Sequence, residues 1–337
     1  MDTPERTLLH LAQGFQLSQA LYVAAKVGVA DVLADGPVDA EAAAQTLNVR
    51  APELRRTLRA LVAAGVFTEL EDGCFALNDA AAELRADAPG RVRDVVINFG
   101  EEMYRAFGEL LHTVRTGETA FDAVYGKPLF AYYSEHPEAE ASGSARMLAR
   151  TLPVADEVAR SDVLSDVGTV VDVGGGPGTI LAEVVSHHPA LRGVLLERPG
   201  VLEIARAYLV ERGVLDRCEL VEGDFFRSVP RGGDVYVVKS VLHDWPDDRC
   251  VQILGNCRDA MEPHARVAVI EFVLPDRVTP SREALPALLL DLIMLTYAGG
   301  RERTEAEYAH LLDQAGLRLV TVNALQSGPS LLEAVPA

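Results

Sequence analysis

The sequence predicts an α/β protein, with a doubly wound, mostly parallel sheet behind a mainly helical N-terminal domain of winged-helix type. Two observations carry that expectation. From about residue 168, short β-branched or Leu-rich runs ("GTVVDVGGG", "LRGVLLERP", "CELVEGDFF", "DVYVVKSVL", "ARVAVIEFVL") alternate with stretches able to form helices, as crossover-connected parallel strands do. Before residue 95 the order is three helices and then "FTELEDGCFALND", whose alternation around Asp-Gly marks a small hairpin.

At 337 residues the chain exceeds one ordinary core. The expected division is 1–95, winged-helix-like; 96–160, helical and pocket-forming; and 161–337, the sheet domain. In the first part, "LSQALYVAAKVGVADVLADGP" places apolar residues at helical spacing up to a Gly-Pro stop, and "DAEAAAQTLNV" and "APELRRTLRALVAAGVF" follow as further helices. Residues 96–160 hold no strand-like run but many aromatic and Met positions. They are expected to form helices with loops at "YGKP" and "SEHPEAEAS", their aromatics serving as core or as the wall of a flat ligand pocket.

Apolar residues at 49% and a mean hydropathy of +0.11 describe a soluble globular protein. A net charge of −19 and a pI near 4.8 argue against a surface built for nucleic acid or an anionic membrane. Residues 1–95 hold nine Lys/Arg against fourteen Asp/Glu. A dimerisation or lid use of the winged helix is therefore favoured over a DNA-binding, ligand-sensing regulator. "MDTPERTLLH" has no apolar stretch behind a basic start, and "LPALLLDLIML" is too short to span a bilayer and carries Asp291. The four cysteines show neither CxxC pairing nor metal-ligand spacing, which suits a reducing cytoplasm and no bound metal. Only three lysines among 31 basic residues point to a GC-rich bacterial source.

"VVDVGGGPGTILAEVV" is a strand, a turn with Gly174, Gly175, Gly176 and Gly178, and a helix. Such glycines admit positive φ and close backbone approach, and the helix start offers free N–H groups. Thr179 stands where a dinucleotide fingerprint has its last glycine. The next strand run ends in Glu197, suited to a ribose diol, and the third leads to Asp224 and Phe225, suited to an adenine. No second nucleotide-binding half is visible, so a single nucleoside such as S-adenosylmethionine is favoured. A purely structural tight turn is the plain alternative. The stretch "KSVLHDWPDD" at 239–248 adds a histidine, three carboxylates and the only Trp. Taken alone, His243 suits a general base and a structural strand-end residue equally well.

Together, "VVDVGGGPG", "GDFF", "VVKSVLHDWPDD", "VIEFVLPD" and "GGRERTEAEYAHLLDQAGL" resemble the plant caffeic-acid-type O-methyltransferases and their bacterial natural-product relatives. "SQALYVAAKVGVADVL" with "LRALVAAGVF" is similar to that family's winged-helix dimerisation domain, so the likeness spans nearly the whole chain. It implies a Rossmann-like class I methyltransferase fold and a homodimer joined through the N-terminal domains. It also implies metal-independent methyl transfer from S-adenosylmethionine to a phenolic hydroxyl of a small molecule, such as an aromatic polyketide. By position, the family's cofactor residues fall on Gly174, Gly176, Glu197, Asp224, Phe225 and Lys239, with Trp245 packing beside them. Its general base falls on His243 and its two histidine-supporting acids on Glu271 and Glu302. Met147, Met294, Asp244 and Asp291 fall on the acceptor side. "MLTYAGG" is one residue shorter than the plant pattern, so the acceptor wall at 296–298 differs and a plant phenylpropanoid is not implied. Relatives that turn the same pocket to hydroxylation or decarboxylation are the alternative, and loss of the histidine would favour them; this chain keeps His243.

Methyl transfer of this kind is an in-line displacement. The protein must hold the acceptor oxygen roughly 3 Å from the methyl carbon and remove its proton. A phenol has a pKa of about 10 and an unperturbed histidine about 6.5. The imidazole then needs a fixed tautomer, with one nitrogen on a carboxylate and the other facing the acceptor.

Overall fold

Thr3 and Pro4 start the chain's longest helix. The Thr3 hydroxyl accepts from the Arg6 N–H at 3.4 Å, Pro4 takes the first turn, and Gly28, left-handed at φ 85°, ends the helix. The computed structural model describes residues 3–280 and 283–337. The first helix, α1 (Pro4–Val27), extends well back of the Leu17 start expected from its apolar spacing, because its cap and proline act where the periodicity is weak. There follow α2 (Val29–Val32), α3 (Ala40–Leu47), α4 (Ala51–Ala63), the hairpin strands β1 (Thr68–Glu69) and β2 (Phe75–Ala76), and α5 (Asp79–Ala82). The hairpin is antiparallel, as expected. Next come α6 (Val92–Gly100), α7 (Glu102–Gly108), α8 (Leu110–Thr116), α9 (Ala120–Tyr125), α10 (Leu129–Glu135) and α11 (Pro137–Ala159). The loop expected over "SEHPEAEAS" shrinks to His136 alone. Pro137 opens α11 with Glu138 and Glu140 in the first turn, where a missing N–H costs nothing and acids oppose the helix dipole.

The chain divides into two compact units, Met1–Gly108 with Phe130–Ala149, and Glu109–Leu129 with Arg150–Ala337. The helical stretch from 96 to 160 therefore contributes to both. The core of the first unit gathers Ala24, Leu33, Leu54, Leu58, Leu61 and Phe75. Leu54, Leu58 and Leu61 are one face of α4, at the i, i+4, i+7 spacing that its sequence shows.

The second unit is built on β3 (Thr169–Val173), β4 (Arg192–Glu197), β5 (Cys218–Glu222), β6 (Val235–Lys239) and β7 (Arg266–Glu271), with α12 (Thr179–His187), α13 (Pro199–Glu211) and α14 (Asp247–Ala260) between them. A short pair, β8 (Val273–Leu274) and β9 (Arg303–Thr304), brackets α15 (Leu285–Ile293); α16 (Glu305–Gln314), β10 (Leu317–Ala324) and β11 (Ser330–Pro336) end the chain. The seven-stranded sheet runs β10-β11-β7-β6-β3-β4-β5. All five expected strand runs pair in parallel. The antiparallel hairpin β10–β11 on the β7 edge has no counterpart in the expectation; a terminal hairpin leaves no crossover pattern in the sequence. Strand order reverses between β3 and β6, and this opens a crevice at their carboxyl ends. Apolar layers cover both faces, one with Ile253, Cys257 and Leu311, the other with Leu181, Val184 and Leu209. Thr304 and Glu307 form the expected capping box at the start of α16, with bonds of 2.8 and 3.3 Å.

Candidate active site

The turn after β3 carries Gly174 at φ 71° and Gly176 at φ 58°, a backbone that side chains rarely adopt. Gly174 N–H donates to Leu196 O at 2.9 Å, which ties the loop to β4. A Cβ on Gly174 would press to 3.2 Å against the Phe225 ring. Glu197, ending β4, accepts from the N–H groups of Arg198 and Gly176, and burial raises its pKa. Asp224 Oδ1 accepts from Phe226 N–H at 2.9 Å. Side chains of α14 hold that loop: Asn256 donates to Phe225 O at 2.8 Å and Gln252 to Phe226 O at 2.7 Å. Trp245 meets Phe226 edge-on at 4.8 Å and Phe225 at 6.4 Å, so it packs the loop. Lys239 ends β6 and donates to Thr151 Oγ1 at 2.8 Å. Gly174, Gly176, Glu197, Asp224, Phe225 and Lys239 are thus gathered at the carboxyl ends of four adjacent strands, where they form one cradle.

One residue of this cradle escaped the sequence reading. Asp172 of β3 is 0% exposed, and neither of its carboxylate oxygens has a hydrogen-bond partner. It lies directly under the glycine loop, where a Cβ on Gly175 would overlap it. Burial raises its pKa to about 7, helped by Glu197 and opposed by Lys239. The available signal was a lone acid inside the apolar run "VVDV". A buried acceptor without a donor is the complement of a cationic ligand.

After β6 the backbone turns sharply at Ser240, a non-glycine residue at φ 50°. The turn feeds a single 3₁₀ turn, Leu242–Asp244, that presents His243. Glu271, ending β7, caps it: Oε1 accepts from the N–H groups of Val241, Leu242 and His243 at 3.0, 2.9 and 3.3 Å. Its other oxygen lies 3.3 Å from His243 Nδ1. Glu302 makes the shorter contact, Oε1 to Nδ1 at 2.8 Å. Of the two expected acids, Glu302 is therefore the direct partner of the ring, and Glu271 chiefly holds the backbone that carries it. Nε2 lies 3.7 Å from Asp244 Oδ1. Asp291, expected on the acceptor side, accepts from Glu302 N–H at 2.9 Å. Met294 is buried in a π-turn over Met294–Ala298, inside which the Thr296 hydroxyl donates to Leu292 O. Met147 lies on α11 in the first unit and is 50% exposed.

The ring is not the near-neutral titrator that an isolated histidine is. Burial alone would lower its pKa, but the charge of Glu271, the Glu302 hydrogen bond and Asp244 outweigh it and raise the value to about 9. Burial drives the Glu271 pKa upward, opposed by His243. At neutral pH the proton therefore rests on the imidazole, beside the side chains of Glu271 and Glu302, which are 1% and 2% exposed.

Gly300 shows how tightly the turn is seated. A Cβ there would overlap the carbonyl oxygen of His243, which already accepts from Arg301 N–H at 2.8 Å. Gly300→Ala is expected to cost about 1–3 kcal/mol of stability, which thermal unfolding checks.

The mostly parallel seven-stranded sheet, with its glycine loop at the switch point, is the class I methyltransferase fold. The model of the O-methyltransferase domain matches residues 107–318, and that of the O-methyltransferase dimerisation domain matches residues 9–86. The chain is 42% identical to the phenazine O-methyltransferase of Lysobacter antibioticus, over 98% of this chain and 95% of that protein. It is 40% identical to the mitomycin biosynthesis 6-O-methyltransferase of Streptomyces lavendulae, over 96% and 92%. Its fold is similar to that of CalO1, a methyltransferase in calicheamicin biosynthesis solved in its SAH-bound form, with a TM-score of 0.87, 37% identity and full coverage of both chains. The chain belongs to the O-methyltransferase family and is an S-adenosylmethionine-dependent methyltransferase. No helix among the described residues is long and apolar enough to cross a membrane.

Proposed function

We propose that this enzyme methylates a phenolic hydroxyl of a small aromatic natural product, with His243 accepting the phenolic proton. The observation that carries the proposal is the buried imidazole whose Nδ1 is committed to Glu302, leaving Nε2 for the acceptor. Bound S-adenosylmethionine supplies a methyl carbon already activated by its sulfonium. Glu197 suits the ribose diol, Asp224 and Phe225 the adenine, and the glycine loop the close approach of the remainder. Asp172 suits one of the cofactor's cationic groups, which gives its orphaned oxygens a partner. The raised pKa of the ring bears on the chemistry directly. Transfer of a proton from a phenol of pKa about 10 to a ring near 9 is uphill by about 1.4 kcal/mol, against about 5 for an unperturbed histidine. Glu302 and Glu271 then hold the imidazolium that forms.

By their names the relatives are a phenazine O-methyltransferase and methyltransferases of mitomycin and calicheamicin biosynthesis, which supports a natural-product acceptor here. A cytoplasmic homodimer is part of the same reading. The dimerisation-domain match and the outward-facing Leu8, Leu9, Leu11 and Phe15 of α1 support it. The test measures S-adenosylhomocysteine release against a panel of polycyclic phenols, their O-methyl ethers and matched aromatic amines. Turnover confined to free phenols is expected. Equal turnover of the ethers, or N-methyl products from the amines alone, overturns the proposal.

A further inference from the structure

We propose that Arg303 is a positioning residue for His243, its guanidinium fixing the turn that carries the imidazole. The proposal rests on the reading of His243 as the base.

Arg303 is the largest of the fully buried side chains. Its Nη1 donates to Leu242 O at 3.0 Å and its Nη2 to Trp245 O at 2.8 Å, the carbonyls on either side of the His243–Asp244 pair. Nε and Nη2 also donate to Asp247 Oδ1 at 3.0 and 2.7 Å, so the start of α14 is held to the same group. A planar guanidinium has the fork geometry for several acceptors at fixed angles, which an ammonium lacks. The neighbours of Arg303 along the chain act on the same turn. Arg301 N–H donates to His243 O, Glu302 binds the ring, and the Arg301 guanidinium grips Asp247 at 3.0 Å. The strip from 300 to 303 is thus one docking edge for the histidine, and Arg303 supplies its guanidinium bonds to the carbonyls of the turn.

A buried arginine that merely satisfied two carbonyls would matter for stability alone. A positioning residue also sets the bond between Nδ1 and Glu302, and hence the titration of the ring. The charged and titratable groups around His243 are Asp244 on its own turn, Glu271 on β7 and Glu302 and Arg303 on the docking strip. Arg301 on the same strip, Asp247 and Cys250 on α14, Asp291 on α15 and Tyr308 on α16 lie around these. Loosening the turn lengthens the contact with Glu302 and lets burial pull the ring's inflection toward acid.

The test uses the full chain, with the eight histidines labelled at Cε1, the His243 signal assigned by its loss in His243→Asn, and the ring followed by NMR from pH 5 to 10. In Arg303→Lys the His243 inflection is expected to move acidward by about one unit or more. kcat is expected to fall at least about tenfold, with S-adenosylmethionine affinity within about twofold of wild type. Asp247→Ala, at a half-exposed side chain, is the second variant. The bonds of Asp247 run to the Arg301 and Arg303 guanidinium groups and not to the ring, so an acidward shift there reports the loosened turn. Unchanged titration in Asp247→Ala and in any folded Arg303→Lys overturns the proposal, as does an Arg303→Lys enzyme of wild-type kcat where His243→Asn has lost its turnover. Should His243→Asn keep its turnover while Arg303→Lys still shifts the inflection, the base reading fails and the positioning role stands.

Discussion

Replacing His243 with alanine is expected to lower kcat by about 10²–10⁴-fold, the range over which a positioned base contributes, while S-adenosylmethionine binds with nearly unchanged affinity. The affinity is expected to survive because the residues proposed to hold the cofactor, the glycine loop, Glu197, Asp224, Phe225 and Asp172, make no hydrogen bond to the ring. Turnover falls because the acceptor's proton then has only water to go to. A pH profile sharpens the expectation. The ring accepts a proton only when neutral, and with a pKa of about 9 roughly one molecule in a hundred is neutral at pH 7. The wild-type kcat/KM should therefore climb about tenfold per unit through pH 7 to 8 and level near 9. An unperturbed histidine would level near 6.5, and a bystander would give no histidine-dependent rise at all. Isothermal titration with the cofactor and a pH-rate series on both proteins decide between these cases; unchanged turnover in His243→Ala sinks the general-base assignment.

Asp172→Asn is expected to stabilise the ligand-free protein and to weaken its cofactor binding by about tenfold or more. The two effects share one cause. A carboxylate buried without a partner favours its protonated form, so its folded pKa lies near 7, well above the unfolded value. For an acid shifted upward the folded state is penalised once the group ionises. The penalty is absent below the unfolded pKa near 4, grows through the interval, and is complete above 7. About three units correspond to about 4 kcal/mol. The amide cannot ionise, so Asp172→Asn removes this slope between pH 4 and 7, and its advantage is larger at pH 8 than at pH 5. The amide also cannot answer a cation, so affinity is lost. Unfolding of both proteins in denaturant at the two pH values, with cofactor titrations beside them, checks each half. A variant less stable at pH 8 than wild type, or one that binds the cofactor as well, removes the role given to Asp172.

Much of the scaffold was visible in the chain because it rests on local rules. Five apolar runs at crossover spacing became the five parallel strands. Glycines at 174 and 176 took the positive φ that only their lack of a Cβ makes cheap, and Thr304 with Glu307 closed the capping box three residues apart. Two local inferences failed for equally physical reasons. The α1 helix runs back to Pro4 because a cap and a proline set its start independently of apolar spacing, and Pro137 opens a helix where "SEHPEAEAS" looked like a loop.

The chain by itself therefore determined the strand runs, the glycine turn, the helix caps and the residue types able to handle a nucleoside and a proton. These depend on side-chain period and backbone freedom over a few consecutive positions. Only the tertiary structure decided which acid holds the ring. Glu271 and Glu302 stand 28 and 59 residues beyond His243, and no periodicity reaches so far. Their roles divided when β7 delivered Glu271 to the backbone N–H groups and the strip after the π-turn delivered Glu302 to Nδ1. The elevated pKa of His243 and the unpartnered carboxylate of Asp172 follow from the same fact. Both are properties of a dry interior that folding creates, and neither exists in the extended chain.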